Sequence, residues 1–370
     1  SGLGYESVLF KRVLTQIWLY ASGAGVFGLI AGLNLYAANR VVSQFAQPPG
    51  HPLPKTVFSG AKKAMLLLSV GAAAIAAFFM ADIPSDSWEM VLRFFNRVPF
   101  NDTEPIFGRD FSFYIFTLPV LQLVRGWLLA VFLVMLILVT AYYYFSGSLV
   151  GKIIPADKRI RRHLLVIGAF VFIFIGFGHW LGRYELLFSK MGAVQGVGYT
   201  EDYVTIRSLD FMTFVAFVVS GLLVVATWTG RRTDARLGGN RLVFGAIAGW
   251  LVLLLLTTVM LPGVYQRLRV EPSELARERP YLAHNIDLTR RAYGLEHLKS
   301  ESHPALREIK AEMVAQNQGT IQNVRLWDEG PLLQSYNQIQ FFRLYYDFLE
   351  VQTDRYMIGD ELRQVMISTR

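Results

Sequence analysis

A chain of 370 residues that is 53% hydrophobic, carries a formal charge of +8 and contains no cysteine excludes several classes at once. Without thiols there are no disulfides, no thiol catalysis and no cysteine-based metal sites. The basic residues are spread over short loops beside long apolar stretches, which argues against a nucleic-acid surface and for membrane topology.

Six apolar stretches, 17–37, 64–81, 126–145, 164–181, 211–228 and 242–261, organise the first two-thirds of the chain. Each is near the roughly 20 residues that a helix rising 1.5 Å per residue needs to cross about 30 Å of hydrocarbon. The fold class expected is mainly α. A polytopic helical membrane bundle of six spans occupies 1–262, with an outer interfacial segment at 82–126, and a mixed α/β extracytoplasmic segment follows at 263–370.

Positive charge sits in every second connection. Arg40, Lys55, Lys62 and Lys63 flank the first, Lys152, Lys158, Arg159, Arg161 and Arg162 the third, and Arg231, Arg232, Arg236 and Arg241 the fifth. The excess of basic residues on the cytoplasmic side of membrane proteins then puts these three loops inside and both the amino end and the tail outside. An outside amino end without a signal peptide, and a final hairpin in need of further sheet, lead us to expect a longer protein with one more span upstream and more domain beyond 370.

The spans contain no acid and no lysine; Asn34 and His179 are their notable polar residues. A retinal-type Schiff base and a proton-coupled carrier both lose support, because such machines use ionisable groups within the membrane. Small residues recur at Ala24, Gly28 and Gly32, in the alanine-rich neighbourhood of Gly71, and at Gly178 with Gly182, a spacing that lets helices approach. Ordinary packing within the chain is the reading adopted, and a homo-oligomer interface is its alternative.

In the segment 82–126, Trp88, Val91, Leu92, Phe95 and Val98 fall on one helical face and Asp86, Glu89, Arg93, Asn96 and Arg97 mostly on another. That pattern predicts a helix lying in the outer interface. The run 111–124, broken at Pro119, predicts a bent, partly re-entrant or interfacial entry to the third span, with one long tilted helix as the alternative.

The tail predicts helices at 273–293, interrupted near Pro280, at 304–316 and at 331–348, where Leu332, Tyr336, Ile339 and Phe342 form one stripe. Alternation at 355–358 and in Leu362, Val365, Met366 and Ile367, around Gly359 and Asp360, predicts a hairpin. Arg325, Trp327, Asp328, Tyr336, Gln340, Arg343, Tyr346 and Asp347 make a dense polar and aromatic group. It is read first as an arginine–carboxylate and tyrosine network that locks helix to sheet, and second as a binding groove for a polar envelope component. The six histidines show no metal-binding spacing, and no nucleophile–base pair or phosphate-cradling loop stands out. No catalytic, cofactor or metal residue is therefore assigned, and whether the protein is an enzyme stays open.

Several segments carry a family resemblance: Leu3, Gly4 and Tyr5 with Thr15 and Gln16, the run 102–119 with Ile106-Phe107-Gly108-Arg109-Asp110-Phe111-Ser112-Phe113-Tyr114, and Gly198-Tyr199-Thr200. Glu278, Pro280-Tyr281, Asn285-Ile286, Thr289-Arg290 and Ala292-Tyr293-Gly294-Leu295 extend it, as do Asn323-Val324-Arg325-Leu326-Trp327-Asp328 and Asp354-Arg355-Tyr356. In these the chain resembles uncharacterised protein family 0182, large bacterial membrane proteins. The resemblance implies seven spans and a long extracytoplasmic region, and brings no activity with it. After Gly198-Tyr199-Thr200 the sequence departs from the family pattern, running from Glu201-Asp202-Tyr203 to Arg207-Ser208-Leu209 without a proline.

Two readings of function follow. The first is a non-enzymatic scaffold or assembly factor of the bacterial plasma membrane, holding an envelope or membrane protein at its outer face. The second is a carrier or channel for an apolar or lipidic solute, gated by the 86–126 segment.

Overall fold

The computed structural model describes residues 6–44, 54–148, 157–190, 195–229, 238–299, 301–302, 310–340, 345 and 347–369. Two compact units divide the chain, Ser1–Glu296 and His297–Arg370.

The first unit is a helical membrane bundle. Its helices are α1 (Glu6–Ser43), α2 (Lys55–Asp86), the short α3 (Trp88–Phe95), α4 (Leu118–Ser148, entered through a wide turn at Phe113–Thr117), α5 (Lys158–Glu185), α6 (Ile206–Thr229) and α7 (Gly238–Leu254). Six continuous helical runs are long and apolar enough to cross a membrane. Neighbours in space follow neighbours in sequence: α1 packs on α2 and α4, α4 on α5, α5 on α6 and α6 on α7. The contacts form one core around Val139, Tyr142, Tyr143 and Ile167, a second around Phe27, Val131 and Met135, and a third around Ala216, Val219 and Leu223. Large apolar side chains cover the outside, with Leu68 74% and Phe244 72% exposed. In water such faces would drive aggregation; against lipid they need no cover.

Polar groups within the bundle are few and mostly paired. Tyr143 Oη lies 2.8 Å from His163 Nδ1, and His163 Nε2 lies 3.1 Å from Asn34 Oδ1, which links α4, α5 and α1. Tyr142 donates to Asn39 at 3.0 Å, and Trp127 Nε1 to the carbonyl of Met80 at 2.7 Å. These bonds add direction to a packing that dispersion alone leaves free to slide.

Several expectations need correcting. The entry to the third span is not broken at Pro119: the helix runs on from Phe113 to Ser148. Pro119 is the second residue of regular α4, directly after the wide turn at Phe113–Thr117, where the looser pitch accommodates a residue that has no N–H to donate. The last span does not stop at 261. Its helix continues through wide turns at Leu255–Met260 and Gln266–Val270, around the short α8 (Leu261–Tyr265), into α9 (Glu274–Ala292). α9 runs through Pro280 without a break.

The close approach of α1 and α2 is not at Gly28 and Gly32, where a Cβ would meet nothing within 4 Å. Gly23 is the contact, because a Cβ there would stand 3.2 Å from Pro84 Cγ and 3.3 Å from Ala81 Cα. α3 forms where its pattern predicts and packs on α1 and α4. Most of the three basic connections, 45–53, 149–156 and 230–237, lie outside the described residues.

The second unit holds α10 (Ala311–Gln316), α11 (Gln318–Gln322), α12 (Glu329–Gln340) and the antiparallel pair β1 (Gln352–Ile358) and β2 (Glu361–Ile367). Ile358 pairs with Glu361, so Gly359 and Asp360 form a two-residue turn, and the φ of +65° at Gly359 is one that glycine adopts without strain. α12 begins earlier than the predicted 331–348 and is helical to Gln340; residues 341–344 lie outside the described residues, and 345, 347 and 348 are not helical. The Asn337 side chain takes the Phe348 backbone by both groups, at 2.9 and 3.1 Å, and this local capture competes with further helix. Ile339 of the expected stripe is 77% exposed, and Phe342 lies outside the described residues.

Candidate functional site

Three segments far apart in sequence meet at the end of the bundle where α2, α5 and the extended last helix emerge, here called the cap end: the loop 99–112, the segment 195–203 and α9. Each is organised by an acidic side chain that accepts backbone N–H groups.

In the loop 99–112 the organising residue is Glu104, which is 3% exposed. Its carboxylate accepts from Ile106 N at 2.6 Å, Phe107 N at 2.7 Å and the Tyr114 hydroxyl at 2.8 Å. Asp110 holds the other side, accepting from Phe100, Asn101 and Ser112 N–H groups, and the bonds from Ser112 hold its carboxyl below the usual range. Asn101, at φ +57°, is an asparagine in the left-handed region that this residue type tolerates. Tyr184 at the end of α5 anchors the loop through ring contacts with Phe107 at 4.9 Å and Phe113 at 5.2 Å.

The second and third segments are joined by two buried acids. Glu278 of α9, 2% exposed, accepts the Tyr199 N–H with both oxygens at 3.1 Å, while Glu201, 7% exposed, accepts Gly198 N–H at 3.1 Å. Both carboxylates lie within 3.1 Å of where a Cβ on Gly198 would stand, so a side chain there would have to push them aside. Glu278 lies beyond the apolar stretch of its helix, among Glu271, Glu274 and Arg277. Burial pushes its carboxyl above the ordinary value, and the nearby Glu201 and Glu274 push the same way against the Tyr199 bond. Tyr281 donates to Asp202 at 2.7 Å, Arg277 to the Tyr199 hydroxyl at 3.1 Å, and Thr200 to Gln266. Tyr199 stacks on Tyr203 at 4.4 Å. Arg291 closes the ring by pairing with Asp102 at 2.9 Å.

Between these walls lies a cavity of about 340 Å³. Ile106, Phe111, Ile115, Leu187, Phe188, Val197 and Leu288 supply an apolar lining. Glu104 and Tyr281 also face it, but their polar atoms are already engaged; His284 and Gln195 are exposed at its edge. Such a volume suits a ligand with an apolar body, and no nucleophile stands beside a base in it. Among the described residues no group of three or more His, Asp or Glu side chains could hold a metal ion.

The segments that line or brace this cavity include 102–119, Gly198-Tyr199-Thr200, Glu278, Tyr281 and Asn285, which also carry the family resemblance. Comparison with known proteins agrees: the profile described as uncharacterised protein family (UPF0182) matches residues 1–370. The chain belongs to this family. It is 33% identical to a UPF0182 protein of Trichodesmium erythraeum over 99% of its own length and 39% of the relative's. A UPF0182 protein of Synechococcus sp. (strain JA-3-3Ab) is 35% identical, covering 98% of the chain and 41% of that protein. One of Salinibacter ruber is 36% identical, over 100% of this chain and 39% of its own. The chain thus spans about two-fifths of the length of these UPF0182 relatives. No solved structure matches it.

The polar and aromatic group singled out in the tail lies elsewhere, in the second unit. Arg325, Trp327, Asp328 and Asp347 are exposed, and Tyr336 and Gln340 are half-buried. Arg325 pairs with Glu329 at 3.4 Å on an exposed surface, and Tyr336 packs on Phe348 at 5.1 Å. Arg343 and Tyr346 lie outside the described residues. Glu104, Glu201 and Glu278 were not singled out from the sequence as site residues, because an acid in a loop or at a helix end reads as solvated. Their only signal was membership of the resemblance segments, which Glu278 and the run 102–119 share.

The raised Glu278 carboxyl has a definite pH consequence. A group whose pKa is higher folded than unfolded favours the fold below its ordinary value of 4.5 and loses that contribution as pH rises through the folded value. Glu278→Gln, which keeps an acceptor for Tyr199 and removes the charge, should therefore match or exceed the parent in thermal midpoint at pH 7, with the difference closing towards pH 4. A parent clearly more stable than the variant at pH 7 would show that the charged bond outweighs burial.

Proposed function

We propose that the protein binds an amphipathic or lipidic molecule in the apolar cavity at the cap end, acting as a carrier or holder of that molecule at the bacterial plasma membrane. The observation that supports this most is the cavity itself: an apolar volume of about 340 Å³ whose walls are tied by buried hydrogen bonds, beside helices that end in lipid. A preformed, mainly apolar site with little free polar chemistry favours binding over covalent catalysis. The basic residues at the opposite end of the bundle support a cap end that faces away from the cytoplasm.

A scaffold that holds an envelope or membrane protein is the second reading, and one observation favours it. In the second unit Leu326 is 96% and Leu349 83% exposed, large apolar side chains of the kind that partner surfaces cover.

Native mass spectrometry of gently extracted protein separates the two. One lipid species enriched near one copy per chain is expected, and Ile115→Trp or Leu288→Trp, which fill the cavity, should lower its occupancy at least tenfold. No enriched lipid, or unchanged occupancy in both variants, would refute the cavity reading, and a stoichiometric protein in its place would favour the scaffold.

Orientation can be read directly because the chain has no cysteine of its own. In intact cells Thr103→Cys should react with an impermeant thiol reagent and Ser148→Cys should not. The reverse pattern would invert the proposed topology.

A further inference from the structure

Arg125 opens the third span, just before its apolar stretch at 126–145, and makes no ion pair among the described residues. Arg125 is about 18 Å along its helix from Phe113, at 1.5 Å per residue. Its Nε donates to the carbonyl of Phe174 in the neighbouring helix at 2.8 Å. Phe174 is itself about 10 Å short of residue 181, where the apolar stretch of α5 ends. Among the described residues Arg125 forms no ion pair, and neither of its two terminal nitrogens has a hydrogen-bond partner. Glu185 on the facing helix attracts Arg125 through space without a direct contact and accepts from Gln122 Nε2 at 2.6 Å.

The neighbouring helix is shaped to receive this side chain. A Cβ on Gly178 would stand 1.8 Å from Arg125 Nη2, so the guanidinium occupies the space that any other residue would fill. The next residue, His179, has its Nε2 buried without a partner. A snorkelling arginine needs no such seat, since it turns its head toward water. A cation held by one carbonyl in a low-dielectric setting instead leaves electrostatic and hydrogen-bonding capacity unused. The planar fork of a guanidinium matches an oxyanion through two parallel bonds.

We propose that Arg125, seated against Gly178 and beside His179, binds the phosphate or carboxylate oxyanion of an amphiphile in the leaflet at the cap end. The site is separate from the apolar cavity and stands whether or not that cavity holds a lipid. An ordered lipid headgroup and a free anion share this chemistry, and they differ in whether a membrane anchor is needed.

The test follows the thermal midpoint of the purified chain in a neutral detergent, titrated separately with phosphatidylglycerol, a diacylglycerol that carries no oxyanion, and inorganic phosphate at constant ionic strength. The parent midpoint should rise with phosphatidylglycerol and not with diacylglycerol. The apparent affinity should fall at least tenfold in Arg125→Gln, while cavity variants such as Leu288→Trp retain it. A matching response to inorganic phosphate, lost in the same variant, would support the oxyanion site and place its ligand in solution. Equal responses of parent and Arg125→Gln, equal responses to the two lipids, or no response to either anion would overturn the proposal. If Arg125→Gln is not monodisperse, Arg125→Lys keeps the charge and loses the fork; a response identical to the parent's would then overturn it.

Discussion

A carboxylate withdrawn from water must be met by donors, and a loop withdrawn from water must find acceptors for its N–H groups. At the cap end each need answers the other. Glu104 takes the backbone of its own loop, and Glu201 and Glu278 take the two consecutive N–H groups of Gly198 and Tyr199. Because Glu278 stands on α9 and Tyr199 just before α6, satisfying one buried acid fixes two distant segments together. Separating these walls would break the hydrogen bonds that Glu104, Glu201 and Glu278 accept, and this holds the cavity open between them.

The bundle beneath is governed by the opposite condition. Lipid accepts apolar surface at no cost, so shape and a few directed bonds place the helices. Tyr143, His163 and Asn34 form one such chain of bonds, and Gly23 and Gly176 let neighbouring helices approach closely, a Cβ on Gly176 standing 3.1 Å from the ring of Phe217. Arg125 departs from this economy: Gly178 makes room for a charge that no ion pair among the described residues holds.

The spans were legible in the sequence because twenty consecutive apolar residues have one physical solution in a bilayer. The hairpin around Gly359 and Asp360 was legible from its alternation and turn residues. Helix continuity was not. Pro119 and Pro280 read as breaks, yet wide turns or a first-turn position absorb such residues, and which applies depends on neighbours that a local pattern does not contain. The cavity was hidden for a related reason: its walls come from residues as far apart as Glu104 and Leu288, and the acids that brace it look like ordinary loop and helix-end charges. The resemblance segments marked the right places, 102–119, 198–200 and 278–285, without saying that they meet.

Hydrogen exchange of the protein in lipid nanodiscs tests the central claim, that buried acids hold the cap end as a preformed site. The backbone amides of Ile106, Phe107, Gly198 and Tyr199 are the ones to follow, as loop amides that the structure satisfies only through Glu104, Glu201 and Glu278. Exchange as slow as that of the adjoining turns of α5 and α6 is the result the account predicts. Exchange at the rate of open loops, with the helices still protected, would contradict it.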